Sequence, residues 1–191
     1  MKEKDLSVDL LINNAGLGAY GPFDVSEIRR VEEMIMLNVR SLVLLTRLFI
    51  PTMIERGRGG VIQIASTAAF QPIPFLSLYA ATKAFVVSFS EAVWGEYQKR
   101  GIRVLCLCPG NTLTEFHSKA GIEKRKIFLP ATPEEVVRFG LDAYQNGGGP
   151  TAVYGFLNRI MAMGYRMIPR RLMVRITNGL YGPKPEAQQH N

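Results

Sequence analysis

The sequence predicts an α/β fold: a doubly wound parallel sheet with helices on both faces. Three observations carry that prediction. Short apolar runs alternate along the chain with longer stretches of helical periodicity, the signature of βαβ units. The runs are apolar at nearly every position, as strands buried on both faces must be. The length of 191 residues and the 47% hydrophobic content fit one packed domain.

In chain order, the first strand is expected at 8–14, where Leu10, Leu11 and Ile12 lead into the small-residue turn Asn13-Asn14-Ala15-Gly16. Helical pattern follows over 24–57, with a break near Glu33 to Met36 and a kink at Pro51, which cannot donate an interior hydrogen bond. The run Val61 to Ala65 gives a strand at 60–66 that delivers Ser66 at its carboxyl end. A long helix at 76–99 precedes a strand at 102–108, which stops at Pro109-Gly110. Thr132-Pro133-Glu134-Glu135 then opens a helix: threonine caps, proline suits the first turn, and the acids face the positive helix end. Gly147 to Pro150 closes it, and a last strand is expected at 151–155. Residues 1–181 read as one partial domain, with 182–191 a polar tail expected to be disordered.

The formal net charge of +7 is concentrated at the carboxyl end, where Pro150 to Asn191 contain six Arg or Lys against one Glu. Half of the eight methionines lie there too, at Met161, Met163, Met167 and Met173. On a continuous helix Leu157, Ile160, Met161, Gly164 and Ile168 share one face, with Arg159, Arg166 and Arg170 mostly on another. Such a segment, 156–181, either covers the substrate cleft or a subunit interface, the preferred reading, or lies through 156–175 on an anionic membrane surface. No nucleic-acid partner is expected, because the arginines are not interleaved with stacking aromatics. No uncharged apolar run reaches 18 residues and the start Lys2-Glu3-Lys4-Asp5 is not a secretory signal, so a cytoplasmic location is expected. Cys106 and Cys108 alternate on one strand face without nearby metal-ligand partners and are expected as buried free thiols. No metal site is expected.

Tyr79 and Lys83 are the residues most suggestive of chemistry. Four apart on a helix, they share one face, so an ammonium stands beside a phenol and is expected to favour the phenolate. With the Ser66 hydroxyl as a neutral donor to a carbonyl oxygen, the trio suits proton transfer at an alcohol or ketone during hydride transfer. On spacing alone, the pair also fits an ordinary surface helix contact. His117 reads as a solvent-facing loop residue, and His190 in the tail carries no signal.

From about Asp9 to Gly155 the chain resembles the short-chain dehydrogenase/reductase family, whose fold is Rossmann-like. The family's Asn-Asn-Ala-Gly motif falls on Asn13 to Gly16, and its catalytic Asn, Ser, Tyr and Lys fall on Asn38, Ser66, Tyr79 and Lys83. Its Pro-Gly turn and following threonine fall on Pro109, Gly110 and Thr114; Thr112 stands where many members carry valine or isoleucine. The resemblance implies an NAD or NADP cofactor bordered by Asn13, Ala15, Gly16, Tyr79, Lys83, Pro109, Gly110, Thr112 and Thr114. It also implies Tyr79 as general acid, Lys83 on the nicotinamide ribose, Ser66 on the carbonyl oxygen, and a water held by Asn38. A homo-oligomer formed through the helices at 36–57 and 76–99 is expected by the same analogy. Phe116, Ile127, Phe128 and Leu129 suggest a small hydrophobic carbonyl or alcohol substrate.

The departure from the family lies at the amino end. Only eight residues precede Asp9, none a glycine, where a full member has roughly 80 residues with a Gly-rich turn for the pyrophosphate. Two readings follow. Either the chain belongs to an NAD(P)-dependent oxidoreductase interconverting a secondary alcohol and a carbonyl, or it is a catalytically incompetent, N-terminally truncated fragment with at most an interaction role. Leu10 to Ile12 are expected to form an open sheet edge prone to association.

Overall fold

A computed structural model describes residues 7–122, 129–147 and 149–183. Four parallel strands form one sheet in the order β1 (Leu10–Asn13), β2 (Gly59–Ile64), β3 (Ile102–Cys108) and β4 (Thr151–Val153). The register pairs Leu11 with Val61, Val61 with Val104, and Leu107 with Ala152. Parallel neighbours need crossovers, and helices supply them: α1 (Ile28–Ile35) and α2 (Leu42–Glu55), then α3 (Ser77–Tyr97), then α4 (Phe116–Lys119) and α5 (Pro133–Gln145). This is the doubly wound, Rossmann-like arrangement.

Alternation along β3 sends its side chains to two cores. Val104, Cys106 and Cys108 pack with Leu42 and Met53 of α2 and Val86 and Val93 of α3. Leu105 and Leu107 pack on the other face with Val136, Phe139 and Ala143 of α5. Met53, Val61 and Val86 are wholly inaccessible to solvent. Cys106 and Cys108 are buried free thiols with their sulfurs 4.0 Å apart. The neighbouring Cys106 thiol and burial push the Cys108 thiol up.

The expected break near Glu33 to Met36 is not a break. The helix continues through a π-helical turn, Met36–Ser41, which joins α1 to α2 and carries Asn38. An extra residue per turn absorbs the phase change without exposing backbone groups. Pro51 lies inside α2, and the helix runs through it. The stretch Ile28–Glu55 is long and apolar enough to cross a membrane by length and composition. Met34, Leu42, Thr46, Ile50 and Met53 face inward from it, as in a helix that covers a sheet. At α5 the capping expectation is met in detail: the Thr132 hydroxyl accepts from the Glu135 amide at 3.3 Å, and the Glu135 carboxylate accepts from the Thr132 amide at 2.8 Å.

Among the described residues β1 has a neighbour on one side only, and Leu10 and Ile12 are exposed. The carboxyl segment is two helices, not one: α6 (Phe156–Gly164) passes into a 3-10 turn, Tyr165–Met167, and α7 (Arg170–Tyr181) begins after Pro169. Proline at 169 holds Ile168 in extended backbone, ψ 129°, and so interrupts the continuous face that spacing suggested. The polar tail from 184 onward lies outside the described residues.

Candidate active site

Three elements converge at the carboxyl end of the sheet. Ser66 follows β2 and caps the 3-10 turn Thr67–Phe70, its hydroxyl accepting from the Ala68 amide at 3.1 Å. Tyr79 and Lys83 stand one turn apart near the start of α3, both buried. The chain enters α3 through Phe75, whose φ of +65° is uncommon and strained for a bulky side chain. Its carbonyl accepts from the Gly21 amide at 2.9 Å, and its ring lies 6.1 Å from that of Tyr20, which ties this entry to the loop after β1.

The Lys83 amine sits 5.8 Å from the Tyr79 ring centroid and donates to the Ile64 carbonyl at 2.8 Å. The expected phenolate-favouring effect is not what the geometry yields. Burial pushes the Tyr79 phenol up to about 12, and the hydrogen bond with Ser66 offsets this only in part. Burial also brings Lys83 down to about 8, with the neighbouring Cys106 and Cys108 opposing. Spacing along α3 is right, but spacing carries no information about dielectric, and desolvation dominates here. A phenol so held keeps its proton throughout the neutral range.

Asn38 clamps the loop after β1. Its side-chain oxygen accepts from the Leu17 amide at 2.8 Å, while its amide donates to the Leu17 carbonyl at 2.9 Å and the Thr82 hydroxyl at 3.0 Å. A water held by Asn38 must therefore use its main-chain carbonyl or the remaining lone pair of Oδ1. Gly16 lies against the same group: a Cβ there would stand 3.3 Å from Lys83 Nζ and 3.5 Å from Asn38 Oδ1. Asn13 faces inward, its amide donating to Gln63 at 2.8 Å and Thr46 at 3.3 Å, while Ala15 is exposed. Gln63 in turn donates to Thr46 at 2.8 Å. That buried network was missed from sequence, although a glutamine within the apolar run Val61 to Ala65 is a signal that could have found it.

The far wall comes from the segment after β3. The Pro109 carbonyl accepts from the Thr67 amide at 2.8 Å, joining this wall to the Ser66 turn. Gly110 is approached by the Asn158 amide of α6, which also donates to the Tyr154 carbonyl at 2.9 Å, a contact no sequence motif marked. The Thr112 hydroxyl donates to the Gly110 carbonyl at 3.3 Å, and the Thr114 hydroxyl accepts from the Phe116 amide at 3.3 Å. Phe116 stacks toward Tyr79 with ring centroids 5.1 Å apart. His117 is half-buried rather than solvent-facing, edge-on to Phe116, and burial lowers its pKa. A cavity of about 340 Å³ is lined by Gly16, Leu17, Arg30, Thr114, Phe116 and Lys119. It thus adjoins Lys83 through Gly16 and Tyr79 through Phe116. Ile127 and Phe128 lie outside the described residues; Leu129 adopts φ +52°.

This arrangement fits the nicotinamide end of a dinucleotide. The missing Cβ of Gly16 leaves the Lys83 amine room, and that amine uses one of its three donors on Ile64. A buried phenol close to a serine hydroxyl, with an amine one turn away at the carboxyl edge of a parallel sheet, is an arrangement able to exchange a proton with a C–O group.

Comparison with known proteins places the chain. The short chain dehydrogenase family model matches residues 1–125, and the chain belongs to that family. It is 35% identical over 165 residues to a very-long-chain 3-oxoacyl-CoA reductase of Anas platyrhynchos, covering 82% of this chain and 52% of that protein. It is 31% identical over 186 residues to very-long-chain 3-oxoacyl-CoA reductase-B of Danio rerio, covering 92% and 56%. The chain thus spans about half the length of the curated relatives it matches. Among solved structures, a short-chain dehydrogenase of Sphingobium yanoikuyae in complex with NADPH superposes with a TM-score of 0.74 at 27% identity, over 98% of this chain and 70% of that one. A 3-ketoacyl-(acyl-carrier-protein) reductase of Brucella melitensis complexed with NADH gives a TM-score of 0.68 at 28% identity, over 77% and 65%.

Proposed function

We propose that this chain carries the proton-handling half of an NAD(P)-dependent reductase acting on a 3-oxoacyl thioester. One observation carries the reading: Tyr79 is a buried phenol close to Ser66, its ring centroid 5.8 Å from the Lys83 amine, with burial raising its pKa to about 12. A neutral phenol at that position can give its proton to a substrate oxygen, and the phenolate so formed can take one back in the reverse direction. When bound, a reduced nicotinamide supplies hydride to the carbonyl carbon. The Ser66 hydroxyl donates a hydrogen bond to the carbonyl oxygen, and Tyr79 Oη delivers its proton to that oxygen as the alcohol forms. Lys83, with its pKa brought to about 8, is charged at neutral pH and offers a cation to the phenolate left behind. Gly16, Lys83, Pro109, Gly110, Thr112 and Thr114 would border the nicotinamide and its ribose, and Asn38 would hold the Gly16 loop in place.

The ketone class is supported by the 3-oxoacyl-CoA reductases among its relatives and by the aromatic contact of Phe116 with Tyr79. Pairing of subunits through α2 and α3 belongs to the same proposal, supported by exposed Leu44, Leu45 and Leu48 on α2 and Phe85 on α3. The competing reading is non-enzymatic. Titration of this chain with NADPH and NADH, followed by NADPH oxidation in the presence of 3-oxoacyl-CoA, separates the two. The enzyme reading expects saturable binding and turnover abolished by Tyr79→Phe. Absence of binding by a folded chain supports the non-enzymatic reading, and turnover retained by Tyr79→Phe overturns the assignment of the acid.

A further inference from the structure

The α6–α7 segment leaves apolar and basic side chains turned outward on both helices. On α7 the inner stripe is Met173, Thr177 and Tyr181; the Thr177 hydroxyl donates to the Pro72 carbonyl at 2.8 Å, and the Tyr20 hydroxyl to the Tyr181 carbonyl at 2.8 Å. Leu172, Ile176 and Leu180 form a second stripe, spaced four residues apart and exposed, flanked by Arg171 and Arg175. On α6 only Ala162 is buried, and Phe156, Ile160 and Met163 face solvent along one side. Phe156 is 77% exposed, Met163 70% and Met167 87%, values that leave most of each residue in water. Exposed apolar stripes of this kind, one on each helix, mark a place where something docks.

The charge pattern says what docks. Residues 156–181 contain five arginines and no Asp or Glu, so a symmetric contact between two copies of this face would set arginines against arginines. An anionic lipid surface matches both properties at once: it accepts Phe, Leu, Ile and Met side chains at the headgroup boundary and attracts the flanking guanidinium groups. We propose that α6 and α7 dock this protein on an anionic membrane surface, with Phe156, Met163, Met167 and Leu180 as the inserted residues and Arg166, Arg170, Arg171 and Arg175 on the lipid headgroups. The inner stripe of α7 contacts the Tyr20 and Pro72 segments that wall the Tyr79 site, so the docked helix pair holds that wall at the lipid surface. Cleft cover and membrane contact are two faces of one helix, where the sequence reading set them against each other. The proposal does not depend on the catalytic reading.

Co-sedimentation of the full chain with phosphatidylcholine vesicles, with and without phosphatidylglycerol as a minor component, tests it at low and high salt. Binding is expected to the anionic vesicles only, to weaken with salt, and to fall at least about 100-fold in Arg166→Glu/Arg170→Glu/Arg171→Glu. The variant Phe156→Ser/Met163→Ser/Met167→Ser is expected to lose binding as well while retaining its circular dichroism. Three results overturn the proposal: no binding of the folded, unaltered chain to anionic vesicles; equal binding to both vesicle types; or a stable dimer, seen by light scattering, that the serine variant dissociates in a chain that does not bind lipid.

Discussion

Replacing Lys83 with Met tests the electrostatics of the site through stability, where no ligand is needed. The amine is 5% exposed, with its pKa at about 8 in the fold against 10.5 in water. Holding that difference costs the folded chain about 3 kcal/mol whenever the amine is charged in both states, at 1.36 kcal/mol per pH unit. Because the folded pKa is depressed, the unfolded chain binds more protons between pH 8 and 10.5, so stability attributable to Lys83 rises with pH across that window and is lost as pH falls from 10.5 to about 8. Methionine has similar length and no charge, but it leaves the Ile64 carbonyl without the 2.8 Å donor, a loss of about 1 kcal/mol. Lys83→Met is therefore expected to be more stable than the parent by about 2 kcal/mol at pH 7 and less stable by about 1 kcal/mol above pH 10.5. Urea melts of both chains at intervals from pH 7 to 11 measure the crossover. A stability difference that stays constant with pH would show that Lys83 titrates as a solvated amine and would refute the reasoning.

Thr46→Val removes the hydroxyl that Asn13 and Gln63 share, leaving buried amide hydrogens short of an acceptor, and is expected to cost about 1–3 kcal/mol in chemical denaturation. Thr132→Ala removes one half of the reciprocal cap on α5 and is expected to cost about 1 kcal/mol by the same measurement. Gly16→Ala adds a Cβ 3.3 Å from Lys83 Nζ at a backbone angle any residue adopts, so thermal stability should change little while NADPH affinity, read by fluorescence titration, falls. Unchanged affinity would remove Gly16 from the proposed nucleotide wall.

What the sequence made legible follows from period and from chemistry-bearing spacing. The four strands are found where apolar runs placed them: β3 matches at both ends, β2 begins one residue earlier and ends two earlier, and β1 and β4 are shorter. The cap on α5 was readable because its partners are three residues apart. The motif grouped Ser66, Tyr79 and Lys83, and the fold brings these three side chains near one another. The direction of the Tyr79 shift was not readable, since burial is set by Met34, Ile73, Leu76 and Phe116, which come from separate parts of the chain. The π-helical turn at Met36–Ser41 was read as a break for a related reason: one extra residue shifts the helical phase, and a 3.6-residue template loses the pattern there. Asn158 against Gly110 and Tyr181 against Tyr20 depend on long-range packing that no local pattern encodes.

The proton on Tyr79 is what the functional account depends on, and it can be observed. Carbon-13 NMR of tyrosine labelled at Cζ, titrated from pH 7 to 12 with Tyr79→Phe to assign the signal, reads the phenol directly. The account predicts that the Tyr79 resonance stays at its neutral position to beyond pH 10.5 and moves toward the phenolate position only near 12. A midpoint at or below pH 9 would show that Lys83 outweighs burial and would contradict the electrostatics on which this account of Tyr79 rests.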